Sequence, residues 1–270
     1  MRNRLLLYID ILGFSELVSG DTGKIDDLYE VIASLNAHRH DAFRCVIFSD
    51  TILIYNVDGG DNPADLSYLL MFQCEFVKDL MYRLTNRGIV FRAVITDGSF
   101  RHYQLNEVPC YYGSALIDAH ESEKNIKAIG LFMRKRLVPY SDIFSTTHFN
   151  DDYDFVYVTQ ALKEVEAFCD SGVPEAGQHL DITDGTWMAG PELIHLSDLL
   201  GGLRSDLPAP VRLKYEATIK LYRLRYPKII ACLERNDLDI QSVVPDADWG
   251  DVIERHPEDC SYAIKNRQEF

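Results

Sequence analysis

Two carboxylates stand where apolar strands give out: Asp10, between LLLYI and ILGFSEL, and Asp50, between CVIFS and TILIY. A buried carboxylate is costly unless a cation or a donor lies beside it. Brought together, Asp10 and Asp50 would make a site for two divalent ions, Mg or Mn, which bind through one or two carboxylates plus water and phosphate oxygens. The backbone carbonyl of Ile11 would supply a further ligand. Gly13 would let a phosphate come close, and the amides from Leu12 through Phe14 to Ser15 would form the anion-receiving start of a helix. The plainer alternative is that Asp10 caps that helix and Asp50 occupies a turn.

The surrounding pattern predicts how the two acids meet. Leu5–Ile9 is a continuous apolar run of strand length, which fits a central strand buried on both faces. Ile25, Leu28, Ile32 and Leu35 recur at helical spacing. Cys45–Phe48 and Thr51–Val57 form a hairpin with Ser49 and Asp50 at its tip. A second helix follows from Leu66 to about Asn86, ended by Gly88. Ile89–Thr96 then alternates as a strand closed by a turn at Asp97 and Gly98. Strand, helix, hairpin, helix, strand is the ferredoxin-like split βαβ order, which lays the first strand beside the second strand of the hairpin. Asp10 and Asp50 are thereby predicted to be neighbours.

Further along, YYGSALIDAHESEKN reads as a glycine turn leading into a helix, and AIGLFM as a short strand. Tyr153–Thr159 and Ile182–Met188 have strand or loop character, and the apolar spacing from Val211 to Leu233 implies long helices kinked at Pro227. The expected fold class is α+β: an antiparallel sheet with helices on one face over residues 1–149, and a mostly helical extension over 150–270.

The chain has 270 residues, of which 47% are hydrophobic and 26% charged, enough to bury a real core. Its formal net charge of -15 disfavours nucleic acid and anionic membrane as partners. No apolar run nears the ~20 residues of a spanning helix, and the six cysteines form no CxxC pair. A cytoplasmic protein with reduced thiols is expected. There is no HExxH, and His38 with His40 do not share a helix face, which argues against zinc.

YIDILGFSEL resembles the first metal motif of the class III nucleotidyl cyclases, and FSDTILIY resembles the hairpin carrying their second metal Asp, which here follows Ser49 where Gly is usual. FRAVITDGSF, with Arg92 and Gly98, resembles the next strand; YYGSALIDAHESE, with Gly113, Ala119 and Glu123 in step, resembles the dimer-facing helix. The resemblance spans roughly Leu5 to Met133. It implies that Asp10 and Asp50 are catalytic, that the substrate is a nucleoside triphosphate, and that a homodimer shares its active sites.

Three departures bear on the substrate. Val46 stands where purine cyclases usually carry Lys, and Ile117 and Glu121 replace the Asn and Arg that usually steady the transition state. The pattern is closer to the bacterial Pycsar pyrimidine cyclases of antiphage systems, which implies UTP, or CTP, as substrate and a separate effector gated by the cyclic nucleotide. Phe48 would then wall or stack on the base, or belong to the core. Arg92 would donate to a base carbonyl or phosphate, or form a structural ion pair. One of Lys124, Lys127, Arg134, Lys135 and Arg136 would replace the missing Arg, or the run is a solvated face. The rival readings are a dimeric nucleotide-binding sensor or scaffold without chemistry, and a cyclase that uses ATP despite Val46.

Overall fold

A computed structural model describes residues 2–20, 22–171 and 182–243. Cys260 and the rest of the extension beyond residue 243 lie outside the described residues, as do the side chains of Glu123 and Cys169. In chain order the elements are β1 (Arg2–Leu12), α1 (Phe14–Gly20), α2 (Thr22–Ser34), β2 (Phe43–Phe48), β3 (Thr51–Asn56), α3 (Pro63–Leu84), β4 (Val90–Leu105) and β5 (Val108–Tyr112). They continue as α4 (Ser114–Asn125), β6 (Gly130–Arg134), β7 (Thr146–His148), β8 (Tyr153–Val156), α5 (Leu162–Ser171), α6 (Ile182–Arg204), α7 (Ala209–Arg225) and α8 (Pro227–Arg235).

The fold is α+β. Its sheet has the order β2-β3-β1-β4-β6-β8-β7, with β5 paired to the outer half of β4. The pairs β1–β3, β2–β3 and β1–β4 are antiparallel, as the split βαβ order predicts. One pair departs from the expected antiparallel sheet: β4 runs parallel to β6, because α4 crosses over between them.

β1 is central and buried from Leu5 to Ile9. Alternation turns Leu6, Tyr8 and Asp10 to one face, and Leu7, Ile9 and Ile11 to the other. The Leu7 face continues through Ile54 and Cys45 to Phe43, whose ring meets Phe76 of α3 edge-on at 5.0 Å. The Leu6 face packs with Tyr55 and Phe100 against Ala115 and Ala119 of α4. Helices thus close both faces rather than one. α4 lies on the face that carries Asp10, and its small alanines allow close approach to the sheet.

Two boundaries differ from the pattern. β4 does not turn at Asp97 and Gly98 but runs on to Leu105, because β1 pairs with it as far as Phe100 and β5 pairs with it beyond. Gly98 is needed inside this strand: its φ is +155, and a Cβ there would lie 2.9 Å from Ser114 Oγ. The sheet also runs past Asn150, since β8 pairs with both β6 and β7.

The chain divides into two compact units, one of Met1–Asp27, Leu35–Asp79 and Val90–Val158, the other of Leu28–Ser34, Leu80–Ile89 and Thr159–Phe270. The second is helical where described. Ile182–Met188 opens helix α6 rather than forming a strand. Pro227 separates two helices instead of kinking one: it drives Tyr226 out of the helical region, to φ -125 and ψ 57. The start of α8 is capped by Glu166, which accepts from the Lys228 and Ile229 amides at 3.0 Å each. No described helix is long and apolar enough to cross a membrane.

Candidate functional site

Asp10 lies inside β1, two residues before its end, where the sequence suggests a position just past the strand. Pairing to β3 and β4 on both sides carries the strand through it: Asp10 is opposite Thr51 on one flank and Arg92 on the other. Asp50 occupies the second position of the two-residue turn between β2 and β3, and its carbonyl accepts from the Ile11 amide at 2.9 Å. That bond ties the turn to the end of β1. The segments of Asp10, Ile11 and Asp50 are therefore brought together.

Ser49, first in the turn, has φ +54, in the region that favours glycine. The tight turn is kept without glycine, at some backbone strain, and leaves Asp50 partly exposed beside β1. Leu12 and Phe14 are half-buried and Gly13 is exposed. Gly13 has φ +77, and its Cβ would meet nothing nearer than Glu16 Oε2 at 3.7 Å, so the requirement there is for backbone conformation rather than space.

Asp10 has a protein counter-charge. Arg92 Nη2 donates to Asp10 Oδ2 at 2.7 Å, and Nη1 donates to the Ile126 carbonyl at the end of α4 at 2.8 Å. The pair is well covered, with Arg92 4% and Asp10 13% exposed in their side chains. Arg92 thus holds the carboxylate and the helix end together, which is the structural ion pair of the two alternatives the sequence left open, with Asp10 as the partner it did not name. The signal was available: a central β1 puts its tenth residue opposite some residue of β4, and alternation selects Arg92.

Phe48 closes β2 opposite Thr51, on the same face as Asp10, and is 80% exposed, so it is no core residue. Val46, on the same face, is half-buried against the cluster of Leu6, Tyr8 and Tyr55. Ile117 and Glu121 lie on the exposed side of α4.

Two of the five basic residues from Lys124 to Arg136 are committed within the sheet unit. Arg134 pairs with Asp118, which also accepts from Thr96 Oγ1 at 2.9 Å, and with Asp152 at 3.1 Å. Arg136 Nε bonds Asp97 Oδ1 at 2.6 Å. Sequence reasoning missed the acidic partners, which stand 16 and 39 positions away in sequence.

Among the described residues no group of three or more His, Cys, Asp or Glu side chains is placed to hold a metal ion. Two half-buried carboxylates and the carbonyl of the buried Ile11 are all oxygen, which suits Mg or Mn, ions that retain water and phosphate oxygens.

No protein-family model and no curated protein sequence matches the chain. Among solved structures, the guanylyl cyclase domain of the RhoGC fusion protein from the aquatic fungus Blastocladiella emersonii is similar at 13% identity, covering 57% of this chain and 93% of that one, with a TM-score of 0.44. The adenylyl cyclase CyaB from P. aeruginosa is similar at 11% identity, with 57% and 93% covered and a TM-score of 0.42. The guanylate cyclase domain of RhGC from Catenaria anguillulae, solved with GTP, shows 13% identity, 57% and 95% coverage and a TM-score of 0.42. At such scores the likeness adds no weight to the residues of the site.

Proposed function

We propose that the chain is a nucleotidyl cyclase that converts a pyrimidine nucleoside triphosphate, UTP before CTP, to its 3',5'-cyclic nucleotide and pyrophosphate. The observation that carries this is the Ile11–Asp50 hydrogen bond, which sets the Asp50 turn against the end of β1 beside Asp10. The motifs around both acids are those that resemble the class III cyclases.

Asp10 and Asp50, with the Ile11 carbonyl, would hold two divalent ions, Mg or Mn, which when bound lower the pKa of a hydroxyl and offset charge on a departing oxygen. In the reaction the ribose 3'-oxygen attacks the α-phosphorus and gives up its proton as the bond to pyrophosphate breaks. Arg92 fixes the Asp10 carboxylate by a charge-assisted hydrogen bond, so it acts as a positioning residue. Gly13 lets the backbone of Leu12 and Phe14 turn close to the phosphates. Phe48 offers an exposed ring for the base on the face that bears Asp10. The apolar Val46 supplies no donor for a purine, which supports the smaller base.

A homodimer with shared sites is part of this reading. It is supported by exposed apolar side chains on the β4–β5 arm, Leu105 at 62% and Val108 at 61%. The cyclic product would serve as a messenger to a separate effector, in the manner of the antiphage systems the sequence resembles.

A second reading, a dimeric nucleotide-binding module without chemistry, is favoured by the Arg92–Asp10 ion pair, which satisfies that acid without any metal. Asp10→Asn and Asp50→Asn separate the two. Each should abolish cyclic product and leave UTP binding measurable. Asp50→Asn should leave the melting temperature within a few degrees, whereas Asp10→Asn should lower it because the buried Arg92 loses its counter-charge. Unchanged turnover in both variants would overturn the cyclase reading. UTP binding by the native chain with no product would establish the second.

A further inference from the structure

Far along the Asp10-bearing face, at the opposite end of β1, two arginines and a histidine gather and, among the described residues, pair with no carboxylate. Arg44 is the cross-strand partner of Tyr55, and the Arg4 guanidinium stands 5.3 Å from the centre of the Tyr55 ring. The Tyr55 hydroxyl is hydrogen-bonded to His102 Nδ1, and the His102 ring lies over Tyr111 at 4.4 Å and 31°. Among the described residues, Arg4 Nη1 donates to the Asn56 carbonyl at 3.1 Å, and Arg44 Nη1 to the carbonyls of Phe43, at 3.0 Å, and Asp41, at 3.4 Å. Arg4 Nε is buried without a hydrogen-bond partner.

An arginine without an acid is not by itself unusual, since among the described residues Arg101 and Arg212 also bond only a hydroxyl or carbonyls. What sets this group apart is that two such guanidiniums and an imidazole gather at one tyrosine. Arg2, Arg92, Arg134, Arg136, Arg204 and Arg223 are each paired with a carboxylate. In a chain of net charge -15 acids are plentiful, yet among the described residues none pairs with Arg4 or Arg44. Burial, and then the charges of Arg4 and Arg44, hold the His102 imidazole below its usual pKa.

We propose that Arg4, Arg44 and His102, floored by Tyr55 and Tyr111, form a binding site for a phosphate-type oxyanion. The chemistry is one-sided: planar guanidinium forks and an imidazole N–H donate, and among the described residues no carboxylate is paired with them. The aromatic floor limits water and strengthens each charge-assisted bond. Arg4 is six residues from Asp10 on β1, about 20 Å along the strand, so this site is separate from the Asp10–Asp50 site and does not depend on the function proposed for it. The oxyanion is either free or the phosphate of a nucleotide.

The test follows the His102 ring by NMR in the full chain, titrated with sulfate against chloride at constant ionic strength and, in a second arm, with UTP in EDTA. Sulfate keeps its charge across the range, so the imidazole alone titrates. A saturable shift and a rise in the His102 pKa with sulfate are expected, because a bound anion favours the imidazolium. A response to UTP but not sulfate supports a nucleotide source, and a response to sulfate a free anion. Arg44 is exposed, so Arg44→Ala should fold, and it should weaken binding about tenfold or more; Arg44→Gln serves if it does not. Equal effects of sulfate and chloride with no response to UTP, or unchanged affinity in the Arg44 variant, would overturn the proposal.

Discussion

Arg92 reaches Asp10 across the β1–β4 pairing at 2.7 Å and, through its other terminal nitrogen, the Ile126 carbonyl at the end of α4. One buried guanidinium therefore joins two strands and a helix at the acid on which the proposed chemistry turns.

Removing Arg92 leaves a covered carboxylate without its counter-charge, which costs about 3–5 kcal/mol when a buried pair is broken from one side. Arg92→Ala should lower unfolding free energy in urea by about that amount, and Asp10→Leu combined with Arg92→Met should recover much of it. A loss below about 1 kcal/mol for the single variant would show that the pair is not holding the site.

Gly113 precedes α4 with φ +154, and a Cβ there would run into the Ser99 carbonyl and stand 2.7 Å from Phe100 Cα. Neither is a side chain that can swing aside. Gly113→Ala should cost at least about 3 kcal/mol, from backbone strain together with the clash. Denaturant unfolding reads this directly, and a cost near zero would mean that α4 starts differently.

His195 of α6, in the helical unit, is held down at about 4 from 6.5 by burial. Its folded pKa lies below its unfolded one, so the unfolded chain takes up the proton first as pH falls. The stability that the neutral imidazole contributes is complete above pH 6.5 and is lost as pH drops from 6.5 towards 4. At about 1.4 kcal/mol per unit, the loss over that window is about 3 kcal/mol. His195→Gln should flatten this part of the stability profile, and an unchanged slope would place the acid sensitivity elsewhere.

How far the sequence speaks depends on range. The buried run Leu5–Ile9, the two-residue turn at Ser49 and Asp50, and the long α3 are local patterns, and they are legible as such. The meeting of Asp10 with Asp50 is legible because one topology follows from the element order. Arg92 was harder, since its partner is set by the β1–β4 register and not by any neighbour in the chain. β4 was cut short at Gly98 because a glycine needed for close approach of α4 reads as a turn. The short strands β5 and β7 exist through pairing alone.

Incubating the purified chain with each of the four ribonucleoside triphosphates and Mn or Mg, then identifying products by chromatography, tests the central claim most directly. Cyclic UMP, or cyclic CMP, together with pyrophosphate is the predicted result, lost in Asp10→Asn and Asp50→Asn. Cyclic AMP or cyclic GMP alone would contradict the pyrimidine assignment, and the absence of any cyclic product would contradict the cyclase itself.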